Sequence, residues 1–214
     1  MIDTSLFIQA LPILARAAVN TLTIAFFATL IGLAGGTIIA LAQQSPLFLL
    51  RSLANTYVTI IRGTPIVVQI VFLAYGLNLP FPPIIVAILA IGLNSCAYIS
   101  QTIRTGILSV AKGEIEAATV MGLSRRTIMR YIILPQAFRT IFPSLGNEFV
   151  TLIKDSSLAY IIGVHELFKE SRNLMNITYD VITIYCIVTL FYLFLTYTVT
   201  AALSQYEKSW RRSC

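Results

Sequence analysis

Three stretches of this chain carry no charged residue at all: Ala17 to Leu50, Gly63 to Ile103 and Val181 to Tyr206. Few folds can use such stretches. A hydrocarbon core of ~30 Å is crossed by about 20 helical residues. The first stretch holds one crossing, at about 20–42. The second is too long for one crossing and contains Gly76-Leu77-Asn78-Leu79-Pro80-Phe81-Pro82-Pro83, a strong helix breaker. A tight hairpin there predicts spans at about 60–78 and 84–104. A further apolar segment at about 138–162 is interrupted by Glu148, Lys154 and Asp155, and the last span covers about 181–206. The expected class is an all-α integral membrane protein with five transmembrane helices, residues 1–214 forming a single domain.

Charged residues make up only 11% of the chain, against about 25% for a soluble domain. Their placement predicts an orientation. With five spans, one side takes Arg51, Arg62, Arg104, Lys112, Arg125, Arg126, Arg130, Arg139, Lys208, Arg211 and Arg212, and the other takes Arg16, Lys169 and Arg172. Basic residues gather on the cytoplasmic side. The N-terminus is therefore expected outside and the C-terminus in the cytoplasm. The formal net charge of +6 then reflects basic cytoplasmic loops and not a nucleic-acid partner. No basic n-region or cleavage site precedes the first span, which is expected to stay in the mature protein. Cys96, Cys186 and Cys214 have no metal-ligand spacing.

Between the third and fourth spans lies a polar island at about 106–135. Glu114 to Met121 reads as a short helix, and Gly122 suits a left-handed turn at its end. Ser124 can cap a second helix from Arg125, which Pro135 ends or kinks. Ala117 and Ala118 would leave a flat face on the first helix, fit for close approach to another protein. The pattern also resembles a DNA-reading helix-turn-helix. That reading lacks a third helix for a core, and the segment is tethered at both ends close to lipid.

Glu116-Ala117-Ala118, Gly122, Ile132 and Leu134-Pro135 keep the spacing of the signature loop of ABC-importer permease subunits. Arg62-Gly63-Thr64-Pro65 with Gln69, and Lys154-Asp155-Ser156-Ser157-Leu158, resemble motifs of the polar amino-acid (histidine, glutamine and arginine) subfamily. Tyr98, Arg104 and Gly146-Asn147-Glu148 fit as well. Two positions depart from the family pattern: Gln101 stands where Glu is common, and Glu114 where Gln is common. The resemblance implies a multi-pass subunit of a bacterial cytoplasmic (inner) membrane, importing a polar amino acid by alternating access. It implies a second permease subunit, identical or related, two cytoplasmic ATPase subunits that bind ATP and Mg, and an extracytoplasmic amino-acid-binding protein. The docking surface for the ATPases would comprise Glu114, Glu116, Ala117, Ala118, Gly122, Leu134 and Pro135.

No G-x-x-x-x-G-K-[ST] loop occurs, so energy is expected to enter from a partner chain and no cofactor is assigned here. No constellation for other catalysis is present either, and His165, the only histidine, reads as a surface residue. Gly32 and Gly36 have the GxxxG spacing of close helix packing. Ionisable residues inside spans mark pathways by default, because burying them is costly. Glu148, Thr151 and Asp155 recur on one face of the fourth span, and Asn94, Tyr98 and Gln101 on one face of the third. These are the candidate pathway residues; the other reading is hydrogen-bonded glue between helices. Arg62, Gly63, Thr64, Pro65 and Lys154 are candidates for a hinge or gate. The rival function is a secondary transporter or channel that works without an ATPase.

Overall fold

A computed structural model of the chain describes residues 4–77 and 79–211. Asn78 of the expected hairpin, and Arg212 and Cys214 of the tail, lie outside the described residues. The described residues form helices and no strands. In order these are α1 (Thr4–Gln43), α2 (Phe48–Gly63), α3 (Ile66–Val71), α4 (Pro83–Leu108), α5 (Lys112–Val120), α6 (Arg125–Ile128), α7 (Leu134–Asp155), α8 (Leu167–Thr178) and α9 (Val181–Arg211). Three are long and apolar enough to cross a membrane, α1, α4 and α9, and the bent pair α2–α3 is a fourth candidate. The segment expected as the fourth span is α7 followed by a 3-10 turn at Ser156–Ile162. With Arg139, Glu148, Lys154 and Asp155 in its length, α7 is not among the helices that qualify on composition.

α1 and α4 form the axis of the bundle. Gly32 and Gly36 lie against Ser95, Cys96 and Ile99, as the GxxxG spacing predicts. A Cβ on Gly36 would sit 3.0 Å from the backbone oxygen of Cys96, so the two helices approach as closely as glycine permits. α7 and its 3-10 extension complete the core, burying Leu152, Ile153, Ala159 and Ile162 with Ile24, Ile70 and Ile91.

Two expected spans need correction. α1 begins at Thr4, well before residue 20, because Ala10, Leu14 and Ala18 pack on Leu167, Ile184, Ile187 and Val188. A charge such as Arg16 ends a hydrophobic stretch but not a helix. The second span, expected at about 60–78 with a candidate hinge at Gly63-Thr64-Pro65, is two helices bent by 106° at that point. Pro65 has no N–H to continue α2, and it pushes Thr64 into the extended region (φ −117°, ψ 143°). α2 starts at Phe48, well before the expected start of the span at about 60. α3 ends in a π turn at Phe72–Gly76.

The segment between α7 and α9, outside the expected spans, contains α8. Glu166 caps it, accepting N–H bonds from Phe168 at 2.8 Å and Lys169 at 2.7 Å, and a bond from the Tyr192 hydroxyl at 3.3 Å. The Glu166 side chain is fully buried. Burial pushes its carboxyl up to about 7, against the opposing pull of the two cap N–H groups. A raised carboxyl pKa means that the unfolded state ionises first. Stability from this group is therefore intact below about 4.5 and is lost as pH rises to about 7. The loss amounts to about 3 kcal/mol at most. We expect Glu166→Gln to remove this dependence. Thermal unfolding in detergent should show wild type losing more stability than the variant between pH 5 and 8; a gap independent of pH would contradict the raised value.

Candidate functional site

The island folds as a small unit. α5 ends at Gly122, which takes φ +80°, and Ser124 caps α6 by accepting the Thr127 N–H at 3.2 Å. Both features match the sequence reading. Val110, Ala118, Ile128 and Ile133 form its apolar core. Of the residues expected on the flat face, Ala118 is 4% exposed and packs into this core, while Glu116 and Ala117 are exposed. Small size in a sequence does not separate a flat surface from a tight core. Glu114 is also engaged, its carboxylate accepting a hydrogen bond from the Gln136 amide and so tying α5 to α7.

What the island does present is Val120, 89% exposed, and Met121, 77% exposed, beside the open turn at Gly122. These two were missed by sequence reasoning; the legible signal was an apolar pair directly before a left-handed glycine. Pro135 does not end the helix. A π turn at Met129–Ile133 precedes it, and Leu134 and Pro135 open α7 on the exposed side, in the first turn where a proline costs no helical hydrogen bond.

The second site lies where α4 and α7 face the break between α2 and α3. A cavity of about 450 Å³ is lined by Arg62, Gly63, Thr64, Pro65, Ile66, Asn94, Tyr98, Glu148, Thr151 and Asp155. An adjoining cavity of about 280 Å³ is lined by Arg62, Tyr98, Gln101, Thr102, Thr105, Gly106, Thr140, Ile141, Ser144 and Glu148. The structure thus brings the two predicted stripes and the predicted hinge together. Lys154 is the exception: it lines neither cavity, and within the described residues it forms no ion pair.

Hydrogen bonds separate the roles of these residues. Glu148 Oε1 accepts from the Ser95 hydroxyl at 3.1 Å, and Asp155 forms no ion pair within the described residues. Gln101 Nε2 donates to Gln43 Oε1 at 3.0 Å, and Gln43 Nε2 donates to Asn55 at 3.0 Å, linking α4, α1 and α2. A carboxylate at position 101 could not donate that bond, which gives the departure at Gln101 a structural sense. Asn94 is buried and donates to Gln69 Oε1 at 3.0 Å. Asn94 is thus partly glue, in keeping with the second reading of the third-span stripe.

Comparison with known proteins identifies relatives over nearly the whole chain. Residues 32–212 match the family described as binding-protein-dependent transport system inner membrane component. The chain is 36% identical to the glutamine transport system permease protein GlnP of Escherichia coli (strain K12), covering 96% of each chain. It is 37% identical to the nopaline transport system permease protein NocM of Agrobacterium fabrum, over 92% of this chain and 88% of that one. In the crystal structure of an amino acid ABC transporter with histidines, one chain superposes with a TM-score of 0.93 at 32% identity, covering 98% of this chain and 99% of that chain. The chain belongs to the family of binding-protein-dependent transport system inner membrane components.

Proposed function

We propose that this chain is the permease subunit of an ATP-driven importer of polar amino acids. It forms one transmembrane unit over residues 1–214, crossing the bacterial inner membrane five times: by α1, the bent pair α2–α3, α4, α7 and α9. The basic residues argue for an N-terminus outside and a C-terminus and island in the cytoplasm. A second permease subunit would close the pathway across a two-fold axis. Two ATPase subunits carrying ATP and Mg dock on the island, and a binding protein delivers solute from outside.

One observation carries the reading. α7 starts at the island with Leu134 and Pro135 and ends at the larger cavity with Thr151 and Asp155. At 1.5 Å per residue it is a lever of about 33 Å, joining the proposed ATPase dock to the proposed solute path. The cavity suits a zwitterion, with carboxylates at Glu148 and Asp155 and a guanidinium at Arg62. The names of the similar permeases, for glutamine and nopaline, point to the same class of solute.

The test is uptake by proteoliposomes holding this chain, its ATPase and its binding protein, against a panel of labelled amino acids. We expect uptake of a polar amino acid that requires ATP. Uptake driven by an ion gradient without the ATPase would favour the secondary transporter instead.

A further inference from the structure

The break at Thr64–Pro65 leaves a backbone problem that the structure solves in a particular way. In an unbroken helix the carbonyl of Ile61 would accept the N–H of residue 65, which proline lacks. The Gln69 side chain takes its place. Its Nε2 donates to the Ile61 carbonyl at 2.8 Å, to the Thr64 hydroxyl at 2.8 Å and to the Thr64 carbonyl at 3.2 Å. Its Oε1 accepts from Asn94 of α4 at 3.0 Å. One amide thus joins both arms of the elbow to the central helix. The elbow is held in shape and is not a loose joint.

Arg62 stands at the end of the arm that this amide fixes. Its guanidinium carbon lies 5.3 Å from the centroid of the Tyr98 ring, stacked as a cation on a π face. Arg62 and Tyr98 line both cavities, and so does Glu148. Beyond them, one cavity continues to Asn94, Thr151 and Asp155, and the other to Gln101, Thr140 and Ser144. The stacked pair therefore lies at the boundary between two spaces along one face of α4 and α7. Arg62 makes no ion pair with Glu148 or Asp155 among the described residues, so a weak, reversible contact holds it across the path.

We propose that Arg62 on Tyr98 is a gate between the outer and inner halves of the pathway, and that Gln69 is the positioning residue that sets it. This rests on the reading of the two cavities as a solute path. A solute with a carboxylate would compete with the ring for the guanidinium and so open the gate by binding. Movement of α4 would reach Arg62 through Asn94 and Gln69.

The test uses the complete transporter held with ATP and orthovanadate, the state in which an alternating-access importer opens to the outside, in proteoliposomes. Cys96, Cys186 and Cys214 are first replaced by alanine. Ser144→Cys then reports the inner cavity and Thr151→Cys the outer one, each probed with a membrane-impermeant maleimide from outside. We expect Thr151→Cys to label and Ser144→Cys to be protected. Adding Gln69→Leu or Tyr98→Leu should speed labelling at Ser144→Cys at least tenfold, whereas Tyr98→Phe, which keeps the ring, should preserve protection. A merely structural role for the ring would not distinguish phenylalanine from wild type in assembly and then separate leucine only at the inner position. Equal labelling of Ser144→Cys in all backgrounds overturns the gate. If Gln69→Leu fails to assemble, the Tyr98→Phe and Tyr98→Leu pair decides. ATP-driven uptake of L-glutamine and the rest of the panel by the parent vesicles is measured alongside. Absence of any uptake defeats the importer reading, whereas uptake with unchanged labelling defeats only the gate.

Discussion

Exchanging Met121 for glutamate should strip the ATPase subunits from the complex while the permease chain still inserts in the membrane. The residue is 77% exposed and packs in no core cluster, so its replacement has little to disturb within the chain. If docking buries the exposed Val120–Met121 pair, as proposed, the same change buries a charge there. Anchors of this kind contribute about 2 kcal/mol or more, roughly thirtyfold in affinity. Gly122 gives a paired test. Its φ of +80° lies where only glycine is free of cost, but a Cβ there would meet nothing within 4 Å. Aspartate tolerates that conformation better than most residues. Gly122→Asp should therefore keep the turn and lose the dock through its charge. Gly122→Val should distort the turn itself, at about 1–2 kcal/mol. The measurement is detergent pull-down of ATPase with tagged permease, beside the yield of inserted permease. Undiminished association in both Met121→Glu and Gly122→Asp would place the dock elsewhere.

The same island shows what a sequence can and cannot tell. Gly122 and Ser124 were readable because a left-handed turn and a helix cap each need a narrow set of side chains. Ala118 was misplaced because an alanine suits a flat exterior and a crowded interior equally well. The uncharged stretches located α4 and α9 closely, since charges limit the apolar part of a membrane helix even where the helix itself runs a turn or more beyond them. They failed for α1, whose first part leaves the apolar stretch yet finds partners on α8 and α9. The proline at 65 announced a break, but not its angle of 106°, which depends on Gln69 and Asn94 meeting across two helices. Helical periodicity gathered Glu148, Thr151 and Asp155, and likewise Asn94 and Tyr98. Their convergence on one cavity with Arg62 depends on how the helices pack. Glu166 gave no signal, because a buried cap looks like any loop carboxylate until its burial is known.

Glu148→Gln should cut uptake by about ten- to a hundredfold without loss of assembly. The amide keeps the size of the side chain and an oxygen to accept the Ser95 hydroxyl, so the contact to α4 survives. What disappears is the negative charge where both cavities meet. A charge-assisted hydrogen bond from a substrate ammonium contributes about 1.5–3 kcal/mol, which sets the range. Asp155→Asn removes the second charge of the same stripe. If both carboxylates hold one ammonium group, the double variant should lose less than the two single losses combined, because coupled sites do not add. The choice of solute then says which ammonium it is. An equal loss for every amino acid tested means that the pair reads the α-ammonium. A loss confined to cationic amino acids means that it reads a basic side chain. Wild-type uptake of every solute by Glu148→Gln would leave the carboxylate with a packing role alone, its bond to Ser95 joining α7 to α4.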